Sequence, residues 1–350
     1  MKKLKTILPI LAAFFISCEK DGIEGPSLND LYGELTILES LEVVGDSANF
    51  ELNEAMHFTA SFSKIVDWKI TITGLSSDAK KIISGKSNFI SASNSKWSGG
   101  VTSLPFFKDE ENCSVILAFQ NHNDSLFKMV KINGAKTYGN GSELIITDFE
   151  GGFNPNFSPT FFNSGMIKRI EDIGPGEGNR FLAQESAPNG CPWDWLIGYV
   201  TYPSDQWLQQ GVLSADPDNV YFNIMVKGDS TLSAPPNNTP NSLFKLEFFE
   251  DENQDNYWNQ GDEDMLYYEF LVDWNGWRMI SIKYSDLLAS TDPNNGGGGN
   301  KIREPNRILK VRTLLLADPY DPLDLSSCSG FAKADVDYLI WSEGSPILNQ

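Results

Sequence analysis

The sequence predicts an all-β protein made of two consecutive β-sandwich regions. Short runs of alternating apolar and polar residues recur along the chain, rich in β-branched and aromatic residues and separated by turn residues. No long stretch with helical periodicity interrupts them, and a turn at 284–288 is the strongest helical signal. The chain has 350 residues, which is enough for two domains with their own cores.

The N-terminus has the layout of an export signal over residues 1–17. Three lysines precede an apolar run over 7–16, and Ser17 stands directly before Cys18. The run is too short to cross a bilayer as a stable helix. The pattern resembles bacterial lipoprotein signals, which implies cleavage before Cys18 and a lipid on that cysteine. A plain signal peptide followed by an incidental cysteine is the alternative.

Residues 18–33 are polar, contain Gly and Pro, and predict a flexible tether behind the lipidated Cys18. The acidic residues directly after Cys18 resemble the surface-export signal of lipoproteins from Bacteroidetes. This resemblance implies an outer-membrane anchor with the folded part facing the cell exterior.

Charge and composition exclude several classes of function. The formal net charge of −20 disfavours nucleic acid and anionic lipid as partners. The chain contains only two histidines, His57 and His122. A serine or cysteine nucleophile would therefore have almost no choice of histidine as a base. Wide cysteine spacing without C-x-x-C argues against zinc. For Cys191 and Cys328, a disulfide bridge and buried free thiols both remain open.

Residues 34–137 predict an immunoglobulin-like sandwich. About seven strand-like runs occur within roughly 100 residues, and the last of them ends at an Asn-Gly turn before Tyr138. Residues 138–350 predict a two-sheet jelly roll, because eight or nine further strand-like runs alternate with long polar loops, such as 234–240 and 292–299.

Three segments of the second region resemble the carbohydrate-binding jelly rolls of the galactose-binding-domain-like group. They are the opening run 145–150 (IITDFE), the middle run 274–287 (WNGWRMISIKYSDL) and the closing run 336–341 (VDYLIW). Together with the lipoprotein signal and a spacer-like first region, the chain resembles the surface glycan-binding lipoproteins of Bacteroidetes polysaccharide-utilisation systems. This implies capture of glycan at the cell surface and transfer to an outer-membrane transporter.

Aromatic residues in polar loops are candidates for stacking on sugar rings. Seven of the nine tryptophans follow position 190, and an indole offers a large flat area at small entropic cost. Trp277 and Trp341 lie in strongly apolar runs and are expected in the core. The net charge favours a neutral glycan. The candidate glycan-binding residues are Trp193, Trp195, Trp207, Tyr257, Trp258 and Trp274.

Two sets of oxygen ligands are candidates for a structural calcium ion. Asp251, Asn253, Asp255 and Asp262 occupy positions 1, 3, 5 and 12 of an EF-hand-like loop, with Asn256 where Gly is usual. The jelly-roll resemblance implies a second set, Asp148 or Glu150 with Asp337. A solvated acidic hairpin and a hydrogen-bonded aspartate are the respective alternatives.

These features favour a non-catalytic glycan-binding protein over an enzyme. A glycoside hydrolase or polysaccharide lyase on the same scaffold is the first alternative, since acids are abundant, although the second region has no histidine. A surface adhesin or structural subunit, recognising a protein through its first region, is the second alternative.

Overall fold

The computed structural model describes residues 33–138, 144–161, 167–186, 196–208, 212–229, 233–234, 239–240, 242–317 and 332–349. The predicted signal and lipidation at Cys18, nearly all of the tether, the aromatic candidates Trp193 and Trp195, and the cysteine pair Cys191 and Cys328 lie outside these residues. Within them, no helix has the length and apolarity needed to cross a bilayer.

The described residues confirm the all-β class. They form one short helix, α1 (Ala92–Ser95), several 3-10 turns, and the following strands: β1 (Ile37–Val44), β2 (Ser47–Asn49), β3 (His57–Gly74), β4 (Lys80–Ile90), β5 (Asn112–Phe119), β6 (Ser125–Gly134), β7 (Leu144–Thr147), β8 (Ser158–Phe161), β9 (Ile167–Glu171), β10 (Phe181–Ser186), β11 (Leu196–Pro203), β12 (Val220–Gly228), β13 (Ser233–Ala234), β14 (Thr239–Pro240), β15 (Ser242–Glu250), β16 (Met265–Leu271), β17 (Gly276–Lys283), β18 (Leu288–Ala289), β19 (Ile308–Ala317), β20 (Ala332–Lys333) and β21 (Asp335–Glu343).

The first region is organised by β3, which is 18 residues long. Its first part pairs with β1, and its second part pairs with β4 on one side and β5 on the other. The strand order β1-β3-β5-β6-β2 encloses a core in which Phe58, Trp68 and Trp97 are almost fully buried. Alternate β3 residues enter this core, as period-2 patterning requires.

The second region consists of two facing antiparallel sheets. One sheet has the order β17-β12-β21-β10-β20; in addition, β7 pairs with β21 and β9 pairs with β10. The other sheet has the order β18-β16-β15-β19-β11-β8. Their inner faces share one core, at whose centre Trp341 contacts Phe222, Phe248 and Tyr284 at ring distances of 5.0, 5.7 and 5.9 Å. This confirms Trp341 as a core residue.

The sheet containing β12 and β21 is covered on its outer side by the first region. Met225 and Ile340 belong to the same core cluster as the first-region residues. Tyr338 lies 5.7 Å from the ring of Phe106, whose backbone N–H donates to the carbonyl of Gly176 at 2.8 Å. The opposite sheet, around β19, takes no part in this core cluster among the described residues.

A buried carboxylate, Glu111, fixes the turn after β3. It accepts five hydrogen bonds of 2.7–3.0 Å, from the backbone N–H groups of Ser76, Ser77 and Lys108 and from the two serine hydroxyls. Burial raises the pKa of Glu111, but these donors outweigh it and the pKa lies below its usual value. The ionised form thus stabilises the fold.

We expect Glu111→Gln to lower the free energy of unfolding at pH 7 by about 2 kcal/mol, because a charged acceptor is lost. Because the pKa of Glu111 is lower in the folded state than in the unfolded state, its stabilising contribution is fully present above the unfolded-state pKa. The contribution is lost as the pH falls through the folded-state pKa. The difference between wild type and variant should therefore shrink below about pH 4.5. Urea unfolding at several pH values measures it, with the exposed neighbour Glu110→Gln as control; parallel pH profiles for wild type and Glu111→Gln would contradict the assignment.

Candidate functional site

The outer face of the sheet around β19 carries an ordered set of charged and aromatic side chains. β19 lies between β11 and β15, and β16 lies beyond β15. In the observed register one row reads Thr201, Arg312, Glu247, Tyr267, and the next reads Tyr199, Leu314, Lys245, Glu269. Because side chains alternate across a strand, these residues share the side opposite to the core. We call them, together with Lys310 and Phe249, the basic–aromatic face.

Glu247 is the electrostatic centre of the basic–aromatic face. Its buried carboxylate forms one ion pair with Lys245 at 3.3 Å and another with Arg312 at 3.1 Å. The Arg312 guanidinium also stacks on the rings of Tyr199 and Phe249, at 4.3 and 4.7 Å. One carboxylate thus orients two cations, and the Nε–H of Arg312 also donates to the Thr201 hydroxyl at 3.3 Å.

Trp258 meets the basic–aromatic face at Phe249. The two rings pack edge to face at 4.7 Å, and the indole N–H donates to the carbonyl of Asp264 at 3.2 Å. The ammonium of Lys310 lies 4.6 Å from the Phe249 ring and 5.1 Å from the Trp258 ring. The half-buried indole is therefore held in place by its packing against Phe249, by the ammonium over its ring and by the hydrogen bond of its N–H.

A groove of about 780 Å³ opens beside Trp258. One wall is the loop 256–260, in which Tyr257 is 73% exposed. The other wall comes from the end of β11 and the turn after it, and Lys310 contributes from β19. Amide, hydroxyl and carboxylate groups of Asn256, Asn259, Gln260, Ser204 and Asp205 line the groove. An aromatic surface surrounded by polar groups has the composition that binds sugar rings and their hydroxyls.

The structure contradicts two of the predicted stacking residues. Trp207 is 0% exposed, because the 3-10 turn Ser204–Gln206 directs it inward to pack 6.1 Å from Trp341. Trp274 is 5% exposed; its N–H donates to the Val226 carbonyl at 3.3 Å and its ring stacks on Phe270. Both belong to the core, whereas Tyr257 and Trp258 lie in the groove.

Sequence reasoning missed most of the basic–aromatic face. Arg312 and Lys310 alternate with apolar residues in β19, a pattern typical of any half-exposed strand. A weak signal exists in the charge pattern, since three cations (Lys245, Lys310 and Arg312) fall on neighbouring strands of a chain with net charge −20.

The first predicted calcium site folds as a compact loop. The Asp251 carboxylate accepts from the backbone N–H groups of Asp255 and Asn256 at 3.1 and 2.7 Å, and Asn256 adopts the left-handed φ of 64° expected of it. Asn253 and Asp255 accept from the N–H groups two residues ahead. The Asp262 carboxylate accepts a hydrogen bond from the side-chain amide of Asn259. The buried carboxylate of Glu263 accepts from the backbone N–H groups of Asn253 and Asn259.

The second predicted site surrounds the buried carboxylate of Asp337. It accepts from the N–H groups of Gly176 and Glu177 at 3.0 Å, and Glu150 accepts from the N–H groups of Asn179 and Arg180. One carboxylate oxygen of Glu177 is buried without a hydrogen-bond partner among the described residues. Burial and then the charges of Asp148 and Glu150 raise the pKa of Glu177 to about 8.

The excess of carboxylates around Asp337 and the unpartnered oxygen of Glu177 suit a cation chemically. However, no three His, Cys, Asp or Glu side chains of the described residues converge closely enough to hold a metal ion. Calcium at either site therefore remains a prediction.

No family model and no curated protein matches this chain. Among solved structures, the chain is similar to a family 11 carbohydrate-binding module from Clostridium thermocellum in complex with a β-1,3-1,4-mixed-linked tetrasaccharide, at 15% identity and a TM-score of 0.35, covering 57% of this chain and 95% of that one. A structure described as carbohydrate-binding modules from the β-sandwich superfamily aligns at 12% identity and a TM-score of 0.35, covering 89% and 98%. An arabinose-bound α-L-arabinofuranosidase aligns at 10% identity and a TM-score of 0.30, covering 59% and 27%. These likenesses are too distant to assign a function, which has to be inferred from the site itself.

If calcium binds, 5 mM CaCl₂ should raise the Tm relative to EDTA by roughly 5–10 °C, the shift expected for about 2.7 kcal/mol of binding energy at saturation. Glu177→Gln should abolish the shift if the ion lies near Asp337, and Asp255→Asn should abolish it if the ion lies in the 251–263 loop. Differential scanning calorimetry of the wild type and both variants measures this. An unchanged wild-type Tm would contradict both sites.

Proposed function

We propose that this protein is a non-catalytic glycan-binding protein whose ligand lies across the Trp258 groove and the basic–aromatic face. The observation that carries this proposal is the pairing of an exposed Tyr257 with a rigidly held Trp258 inside a groove lined by amide and hydroxyl groups. An exposed tyrosine ring among polar residues suits stacking on the apolar C–H face of a sugar. The donors of Lys245 and Arg312 then serve the hydroxyl groups of a longer chain.

The carboxylates near the groove favour binding over hydrolysis. Hydrolysis of a glycosidic bond commonly needs two carboxyl groups about 5–10 Å apart on either side of the bond. Of the residues described as lining the groove, Asp205 alone carries a carboxylate. Glu247 is buried and already paired with Lys245 and Arg312, and it does not line the groove.

The proposal includes a lipid anchor at Cys18. The apolar run before Cys18 and the polar residues up to Gly33 support a lipoprotein that presents its sandwich regions away from the membrane. The first region then acts as a spacer, and the groove faces the medium, where it retains polysaccharide for uptake through a transporter.

Substituting the groove aromatics should weaken glycan binding. We expect Trp258→Ala to lower affinity for the bound polysaccharide at least 10-fold, about 1.4 kcal/mol, and Tyr257→Ala to lower it about 3-fold or more. Affinity electrophoresis across a polysaccharide panel, followed by calorimetry, gives both values.

Tyr257→Ala keeps the test valid if loss of Trp258 disturbs the loop, because the tyrosine side chain is largely exposed. Phe89→Ala, an exposed aromatic of the first region, is the matched control. Binding to a protein partner that survives both groove substitutions, without affinity for any glycan, would support the adhesin alternative. Release of reducing sugar from the bound polysaccharide would support the enzyme alternative.

Cys18 should be the site of lipid attachment. Expression of the full chain in a Gram-negative host with labelled palmitate should label the wild type, while Cys18→Ser should give an unlabelled protein released from the membrane fraction. Labelling that persists in Cys18→Ser would contradict the anchor, and Cys113→Ser, a buried thiol, serves as control.

A further inference from the structure

The cations of the basic–aromatic face are not balanced by carboxylates. Lys245 and Arg312 share the single carboxylate of Glu247. Lys310 projects on the same side as Arg312, two residues away on β19, and forms no ion pair among the described residues. The exposed Glu269, opposite Lys245, is the one other acid in these rows. The face therefore carries a local positive charge on a chain with net charge −20.

Lys310 is the cation that most lacks a partner. Its ammonium lies over the rings of Phe249 and Trp258, and its side chain is half-buried. Burial and the neighbouring charge of Arg312 lower its pKa, while Glu247 opposes this. A partly desolvated ammonium is stabilised by an aromatic ring, but it gains more from an anion in direct contact.

Lys310 also lies where a ligand has to pass, because it lines the groove together with Trp258. A sugar ring stacked on Trp258 brings its substituents to within a few ångströms of the ammonium, which is 5.1 Å from the indole centre. Charges beyond about 10 Å are screened at 0.1 M salt. Distant carboxylates are therefore screened, while Asp255, Asp262 and Glu263, which bond to groove residues, remain close enough to oppose Lys310. Asp205, on the opposite wall, is a further acid that opposes it.

We infer that the ligand of this site is an acidic glycan, a chain bearing uronic-acid carboxylates, with one carboxylate bound by Lys310 and Arg312 while its ring stacks on Trp258. This inference rests on the proposed glycan-binding function and names its substrate class. It reverses the neutral glycan that the net charge alone favours, because Lys310 lies over the Trp258 ring and Arg312 lies beside it on the same strand face.

The test compares each acidic polymer with its own carboxyl-reduced form. Polygalacturonate, alginate and glucuronoxylan, each before and after carboxyl reduction, are titrated against the mature chain by calorimetry in EDTA, with mixed-linkage β-glucan as a neutral reference. We expect at least one acidic polymer to bind 10-fold or more tightly than its reduced form. Lys310→Gln should remove most of that preference, because it lowers the affinity for the acidic polymer much more than the affinity for its reduced form.

Two further variants sharpen the result. Lys69→Gln, an exposed lysine on the first region, should not change any affinity. Asp205→Asn should raise affinity for the acidic polymer about 2-fold or more, because it removes a like charge from the groove.

The outcomes separate this inference from the proposed function. If neutral and reduced polymers bind as well as the acidic ones, or if Lys310→Gln leaves the preference intact, the acidic-ligand inference is overturned while glycan binding stands. If no polymer binds, the proposed function fails and the inference fails with it.

Discussion

The two-residue periodicity of β19 is the constraint on which both the core and the site depend. Val311, Thr313 and Leu315 point inward, while Lys310, Arg312 and Leu314 point outward. A register shift by one residue would exchange the two sets and place two cations in the core. The pairing with β11 and β15, seven and nine residue pairs long, prevents that shift. The energy that holds the core together thus also fixes the positions of the ligand-facing cations.

The contact between the two regions determines which sheet of the second region is covered on its outer face. Met225, Ile340 and Tyr338 of the second region join the core cluster of the first. Tyr338 adopts a φ of 45°, unusual for an aromatic residue, beside a register shift between β12 and β21. The irregular strand directs the ring to Phe106 and Tyr138. One sheet is thereby committed to packing, and the other keeps its outer face.

The sequence was sufficient for the fold class because period-2 patterning and turn residues recur wherever a strand is half-buried. It was not sufficient for β4, in which the half-buried Lys81 and the exposed Ile82 reverse the expected alternation, or for β3, whose strand runs on for 18 residues. Tyr257 and Trp258 were identified because aromatic residues in a polar loop are conspicuous. Trp207 and Trp274 were misjudged because a polar neighbourhood in sequence says little about where a 3-10 turn or a stacked ring directs a side chain. The cations of β19 escaped notice because they acquire meaning only once the strands are paired.

The two groove aromatics differ in how much freedom they lose when a ligand binds. Trp258 is already fixed by the edge of Phe249 and by the Asp264 carbonyl. The conformational entropy of Trp258 is therefore lost during folding, and under the proposed function a sugar ring would meet a side chain that is already ordered. Tyr257 remains largely in solvent and has to be ordered on each encounter. Under the proposed function, the groove would therefore offer a glycan one ring that is already fixed and one that is ordered only on binding.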